Sequence, residues 1–313
     1  MTAIDPVVRR SSTAFIRASR WVEKQRNQFA LPQEDKDGGR YIIKHIKPLG
    51  ELLFALCYIK KYGIAANFVD DYAKWAWGQF SEGDKLAEML LARPDLLNVS
   101  VLYAWFRTLG YVNRTLEGVV SYILNSRFYT NNSMLYYRRL EVDMAMRFLT
   151  NRKFTPAVAG PTLIASEPEP WIISEDVAYT ITHEVFYLTD MGNTPELLPQ
   201  STRRYLKIWL PMWLDIFRKR GNWDIYGELL IVASLIDDEN TYAEYVPDFF
   251  NVQSKSGVFP GPSRDKRAPV NQAYDKDRKF FLMNYHTTLV GLIALASHVK
   301  TTQVTAASPA LST

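Results

Sequence analysis

Apolar positions recur along almost the whole chain at spacings of three and four, the pattern of helices that each bury one face. The period-2 alternation of a half-buried strand is missing, and short apolar stretches such as Thr162–Ile164 have no evident partner. The pattern predicts an all-α fold whose helices come in pairs. First members fall near Ser11–Gln28, Asn67–Phe80, Leu116–Ser126, a short piece around Pro161–Ser166, Ser201–Lys219 and Thr241–Val252. Second members fall near Lys47–Lys61, Leu96–Leu109, Ser133–Leu149, Ile173–Thr189, Trp223–Ile236 and Phe280–His298. The repeat of roughly 40–60 residues lies in the range of helix-pair arrays. The fourth pair is the least regular, because Pro156, Gly160 and Pro161 interrupt its first helix. No linker divides the chain, which reads as one domain over 1–300 and a flexible tail over 301–313.

Two second helices begin alike, Leu49-Gly50-Glu51-Leu52-Leu53 and Tyr226-Gly227-Glu228-Leu229-Leu230. Several first helices end alike as well: Gln253 is followed by Gly257 and Phe259, Gly221 by Trp223, and Gln25 by Phe29 in a looser version. A helix closed by Gln-x-x-x-Gly-x-Phe/Trp and followed by an inward helix resembles the repeat of the α/α toroids. Terpenoid cyclases of the squalene–hopene type, protein prenyltransferase β subunits and lanthionine cyclases share that architecture. The resemblance implies a ring of about six helix hairpins whose second helices line a cavity. A second resemblance is local. Thr182-His183-Glu184-Val185-Phe186-Tyr187-Leu188-Thr189-Asp190, with Tyr285-His286-Thr287-Thr288-Leu289, resembles an uncharacterised bacterial family often linked to specialised-metabolite genes. It implies a biosynthetic context and no particular reaction.

Composition narrows the classes. At 313 residues with 47% hydrophobic residues, 8 Trp, 18 Tyr and 16 Phe, the chain carries far more apolar surface than a disordered one. Its net charge of +4 is mild and its basic residues are interspersed with acidic ones, which argues against a nucleic-acid partner. A single cysteine, Cys57, rules out an internal disulfide and any Cys-rich zinc or iron–sulfur site. Met1–Arg10 carries Asp5 and Pro6 where a signal peptide needs an apolar stretch, and apolar runs such as Leu289–Ala296 are too short to span a bilayer. A soluble cytoplasmic protein with no membrane partner is expected.

The candidate chemistry concentrates on the fourth second helix. Asp176, Tyr179, Thr180, His183, Tyr187 and Asp190 fall within about 100° of arc, opposite Val177, Ala178, Ile181, Val185 and Leu188. Acids, tyrosines and a histidine suit hydrogen bonding and proton transfer, where a solvated stripe would be rich in Lys and Glu. Such a stripe either lines a cavity or forms a structural network between helices. His286 reads as opening the last inner helix, where a helix N-terminus favours the neutral imidazole and a base role; the alternative is a polar first turn that only caps. In a closed ring the two histidines face each other across the cavity. Glu51 and Glu228, set in apolar helices, either line the cavity or bond the amides of a neighbouring loop, and their equivalent positions favour the capping role. Arg139 and Asp143 are spaced for a structural ion pair, although an inward Arg139 could hold a carboxylate or phosphate.

Metal ligands are sparse. The toroid enzymes' zinc sites use cysteine, and Cys57 has no second cysteine or histidine near it in sequence. His183, His286 and Asp190 are the one remaining combination, and the reading is of a metal-free, cofactor-free protein. The Asp-x-Asp-Asp of the terpenoid cyclases, phosphate loops, Gly-x-Ser-x-Gly and His-Glu-x-x-His are all absent. The aperiodic stretch Ser254–Lys279, with Arg264, Lys266 and Arg267 among prolines, reads as a lid or a mobile insertion.

These features point to an enzyme of bacterial specialised metabolism, an acid–base cyclase, lyase or isomerase acting on a small molecule or peptide. In that reading His183 is the acid/base, Tyr187 and Asp190 orient it or stabilise charge, and His286 is the second proton carrier. Asp176, Tyr179, Thr180, Arg139, Glu51 and Glu228 then contact substrate. The alternative is a non-catalytic helical-repeat protein that binds a peptide or another protein on its concave face.

Overall fold

The computed structural model describes residues 6–32, 40–131, 135–150, 162–262 and 275–299. Among these residues the chain is all-helical, with fourteen α-helices, short 3₁₀ turns and no strand. In chain order they are α1 (Pro6–Lys24), α2 (Arg26–Phe29), α3 (Arg40–Lys61), α4 (Ala66–Gln79), α5 (Asp84–Ala92), α6 (Leu97–Leu109) and α7 (Arg114–Leu124), followed by α8 (Arg127–Asn131), α9 (Tyr136–Thr150), α10 (Glu175–Leu188), α11 (Gln200–Arg220), α12 (Trp223–Leu235), α13 (Glu239–Val252) and α14 (Lys276–Ala296).

Local chemistry sets many of the boundaries. Asn113, Ser174, Asn222, Asp238 and Asp275 each accept a hydrogen bond from the backbone N–H three residues on, starting α7, α10, α12, α13 and α14. Gly110 and Gly221 close α6 and α11 in left-handed backbone. α6 and α12 are buried on nearly every side, as is the second half of α14, whereas α1 and α7 bury a single stripe.

That division sorts the helices into two shells. α3 packs on α6, α6 on α9, α9 on α10, α10 on α12, α12 on α14, and α14 back on α3, so six helices form a closed cycle of neighbours. Outside them, α1 lies on α14, α4 on α3 and α6, α7 on α9, and α11 and α13 on α12. The six inner helices are the six second members expected from the sequence. Of the fourth outer element the described residues show a 3₁₀ turn, Ile164–Ser166, packed on α10. α5, inserted within the second pair between α4 and α6, went unforeseen. Residues 263–274, most of the expected lid, lie outside the described residues, as do Pro156, Gly160, Pro161 and the tail 301–313.

Two glycines make the close contacts possible. Gly257 has a φ of +101°, and a Cβ there would meet the Arg17 carbonyl oxygen at 2.1 Å, so the turn after α13 seats directly on α1. Gln253 locks the same turn by donating to the carbonyls of Ala14 and Gly257, and Phe259 stacks on Phe249. At Gly227 a Cβ would meet Val290 at 2.6 Å and Phe249 at 2.9 Å, so α14 closes on α12 only because that position is bare. The neighbour of Gly227, Glu228, is thereby brought against α14.

Candidate functional site

A cavity of about 670 Å³ is lined by side chains from all six inner helices. Its walls are mainly apolar: Ile46, Phe54, Leu102, Trp105, Ile231 and Val290 are among them. Lys47, Asn98 and Arg138 line it and reach solvent, which marks its mouth. On α3, α6 and α9 these residues precede the enclosed Phe54, Trp105 and Val142, so the three helices run the same way, from mouth to interior.

Polar groups gather on one side. Asp224 and Glu228, four residues apart, share a face of α12. His286, from α14, stands between them and Glu51 of α3. Its Nδ1–H donates to Glu51 Oε2 at 3.0 Å, while its Nε2 lies 3.6 Å from Asp224 Oδ2 and 3.8 Å from Glu228 Oε1. The remaining oxygens are held by hydroxyls: Thr287 donates to Asp224 Oδ1 at 2.8 Å and Thr182 to Glu228 Oε2 at 2.5 Å. Burial alone lowers the imidazole's pKa, but Asp224 and Glu51 overcome it and push His286 well above the usual histidine range. Burial likewise works to raise Glu51, yet His286 and Lys47 hold it down at about 2. Asp224 is raised, by burial first and then by the like charge of Glu228, against the pull of His286.

His183 approaches from α10 on the other side of Glu228, its Nδ1 3.7 Å from Glu228 Oε2. That Nδ1–H donates to the carbonyl of Tyr179 at 2.9 Å, which leaves Nε2 as the nitrogen able to take a proton. The ring stacks on Tyr179 at 3.8 Å and meets the edges of Tyr137 and Tyr187, so its orientation is fixed by packing. Burial lowers its pKa against the attraction of Glu228.

Several expectations need correction. His286 does not open its helix: α14 starts at Lys276, and the imidazole sits three turns in, made cationic by carboxylates instead of neutral by a helix terminus. Glu51 and Glu228 do not cap loops; both line the cavity. The capping glutamate is Glu184, whose two oxygens accept the amides of Leu163 at 3.0 Å and Ile164 at 2.8 Å. Asp190 neither reaches the cavity nor orients His183. It follows the end of α10 in left-handed backbone and pairs with Arg147 at 2.6 Å. Arg139 turns away to Asp143 and the Tyr129 carbonyl, and the adjacent Arg138 lines the cavity with Glu141. Asp176 and Thr180 line a separate pocket between α9, residues 162–166 and α10; Tyr179 forms the wall between the two. Tyr187 is in the cavity, as expected.

Sequence reading missed Asp224, Arg138, Glu141, Thr182 and Thr287. A signal for the first was present, since two carboxylates four residues apart on a wholly apolar helix share one face. The cysteine-based zinc sites of the resembled enzymes do not fit: Cys57 donates to the Trp105 carbonyl and does not line the cavity.

Fold and interior together define an all-helical protein with a central cavity, apolar but for imidazoles, carboxylates, tyrosines and two cations at its mouth. The chain belongs to the family described as a domain of unknown function, DUF6895, whose model matches residues 15–296. No curated protein and no solved structure matches it.

Proposed function

We propose that the cycle of six helices is an α/α toroid and that its cavity is the active site of an enzyme. The enzyme moves protons on a small, largely apolar molecule, by isomerisation, elimination or cyclisation, and works in bacterial specialised metabolism in the cytoplasm. One observation carries this reading. His183 and His286, from helices that are not neighbours, converge on the same buried carboxylate, Glu228, inside a chamber whose walls are mainly apolar. A core built only for stability would place leucines there, because buried charges seldom repay their desolvation. His183 is the base: its tautomer is set by the Tyr179 carbonyl and its ring is clamped between aromatics. The cluster around His286 polarises the substrate, Tyr179 and Tyr187 offer hydroxyls, and Arg138 with Lys47 favours an anionic group at the mouth. The biosynthetic setting rests on the local resemblance in sequence, and the reaction class on the acid–base character of the lining side chains.

The test compares wild type with His183→Gln, which keeps a hydrogen-bonding side chain and cannot titrate. Each is incubated with a bacterial small-molecule extract, and the mixture is followed by liquid chromatography and mass spectrometry. The expected result is a compound that wild type converts and the variant converts about 10²–10⁴-fold more slowly. A compound that binds both proteins and is recovered unchanged from both would make the cavity a binding site instead.

A further inference from the structure

We propose that Asp224, Glu228 and His286 form a binding site for one divalent transition-metal ion on the cavity wall. The proposal takes the cavity as the working site, but its test needs no reaction.

The geometry divides each of the three side chains into a held end and a free end. The held ends are Asp224 Oδ1 on Thr287, Glu228 Oε2 on Thr182, and His286 Nδ1 on Glu51. The free ends are Asp224 Oδ2, Glu228 Oε1 and His286 Nε2, which all lie within 4.8 Å of one another. They converge without hydrogen bonding to each other, since 3.6 Å and 3.8 Å are too long. Glu228 is the telling case: its side chain is 3% exposed, and Oε1 points at the cluster with no donor on it. The 3.8 Å between it and His286 Nε2 is an ion-pair distance without a hydrogen bond, so the oxygen keeps a lone pair for an ion seated between them.

Three atoms at these separations leave a point roughly 2.0–2.4 Å from each, against about 2.0–2.2 Å for zinc to nitrogen or oxygen. The outer partners fit as well. An imidazole whose far nitrogen donates to a carboxylate, here Glu51, is the usual support of a metal-bound histidine, and ligating carboxylates are themselves hydrogen-bonded, here by the two threonines. One nitrogen and two oxygens suit Zn²⁺, Mn²⁺ or Fe²⁺, since the imidazole disfavours Mg²⁺ and Ca²⁺ and no thiolate is present. With three protein ligands, the remaining positions open toward the cavity, where the ion would polarise an oxygen of the substrate. His286 is then a neutral ligand and His183 the proton carrier. The expectation of a metal-free protein is replaced by this proposal.

The full chain, stripped with EDTA and dialysed free of it, is titrated calorimetrically with zinc chloride and with manganese chloride, and bound metal is counted by elemental analysis. One equivalent of at least one of the two ions is expected. Asp224→Asn should weaken it at least 100-fold, and it should stay folded because its Oδ1 still accepts from Thr287. His286→Gln should do the same. Glu51→Gln keeps all three ligands and should weaken binding about 10–100-fold. His298→Gln removes a histidine outside the cavity and should leave binding unchanged. No saturable binding of either ion, or one equivalent that survives both Asp224→Asn and Glu51→Gln, would overturn the site. Metal binding without turnover would leave it standing and count against the proposed reaction.

Discussion

Glu184 on α10 and Glu228 on α12 are the same residue type on adjoining inner helices, 1% and 2% exposed, yet the chain uses them in opposite ways. Both oxygens of Glu184 are taken by backbone amides of residues 163 and 164, so its charge is spread over donors that have nowhere else to go. Glu228 has one oxygen on Thr182 and the other turned to His286 without a hydrogen bond. The first carboxylate is structural: it ties the 3₁₀ turn Ile164–Ser166 to the inner shell. The second leaves part of its bonding capacity for something that enters the cavity. Burial alone does not separate structural from functional carboxylates; the count of satisfied lone pairs does.

If that contrast is right, the largest effect on stability comes from the satisfied carboxylate. Glu184→Ala strands two buried amides and should cost about 3 kcal/mol, read from urea unfolding. Unfolding at the wild-type midpoint would remove the structural role assigned to it. A smaller effect is expected at Gly227→Ala, where the added methyl runs into Val290 and Phe249. Overpacking of this kind costs about 1–3 kcal/mol, and it should also part α12 from α14. The separation between Glu228 and His286 then grows, so Gly227→Ala should weaken metal uptake although it changes no ligand. Stability lost with undiminished uptake would show that the close approach of the two helices does not set the cluster.

Much of this was legible in the sequence, and the misses have physical causes. All six inner helices were legible, those with one buried stripe from their 3.6-residue period and those buried nearly all round, such as α12, from apolar runs too long for a strand. The pattern also placed His183, Tyr187 and the Gly-Glu pairs of α3 and α12. Asp190 was misplaced because helical spacing was carried past Leu188, where α10 ends and the backbone turns left-handed. Arg138 and Arg139 are adjacent, 100° apart on the helix, and apolar periodicity does not say which of the two faces the cavity. The character of His286 was misread because the helix begins ten residues before it, at Lys276, so a position taken as a polar first turn is an interior one. Which glutamate caps depends on contacts between residues about 20 positions apart or more, and no local pattern encodes that.

The most direct test of the contrast is one pair of thermal melts, on Asp224→Asn and Glu184→Gln in the presence of a chelator. Each replaces a carboxylate by its isosteric amide, so packing is kept and only the charge and one acceptor change. Glu184→Gln turns an NH₂ toward a backbone N–H and should lower stability by about 1–2 kcal/mol. Asp224→Asn relieves burial of a charge beside Glu228 and should leave the midpoint unchanged or raise it, as expected where function has been kept at the expense of stability. Equal losses in both variants would contradict the account, because the cavity cluster would then be holding the fold together in the same way as the cap.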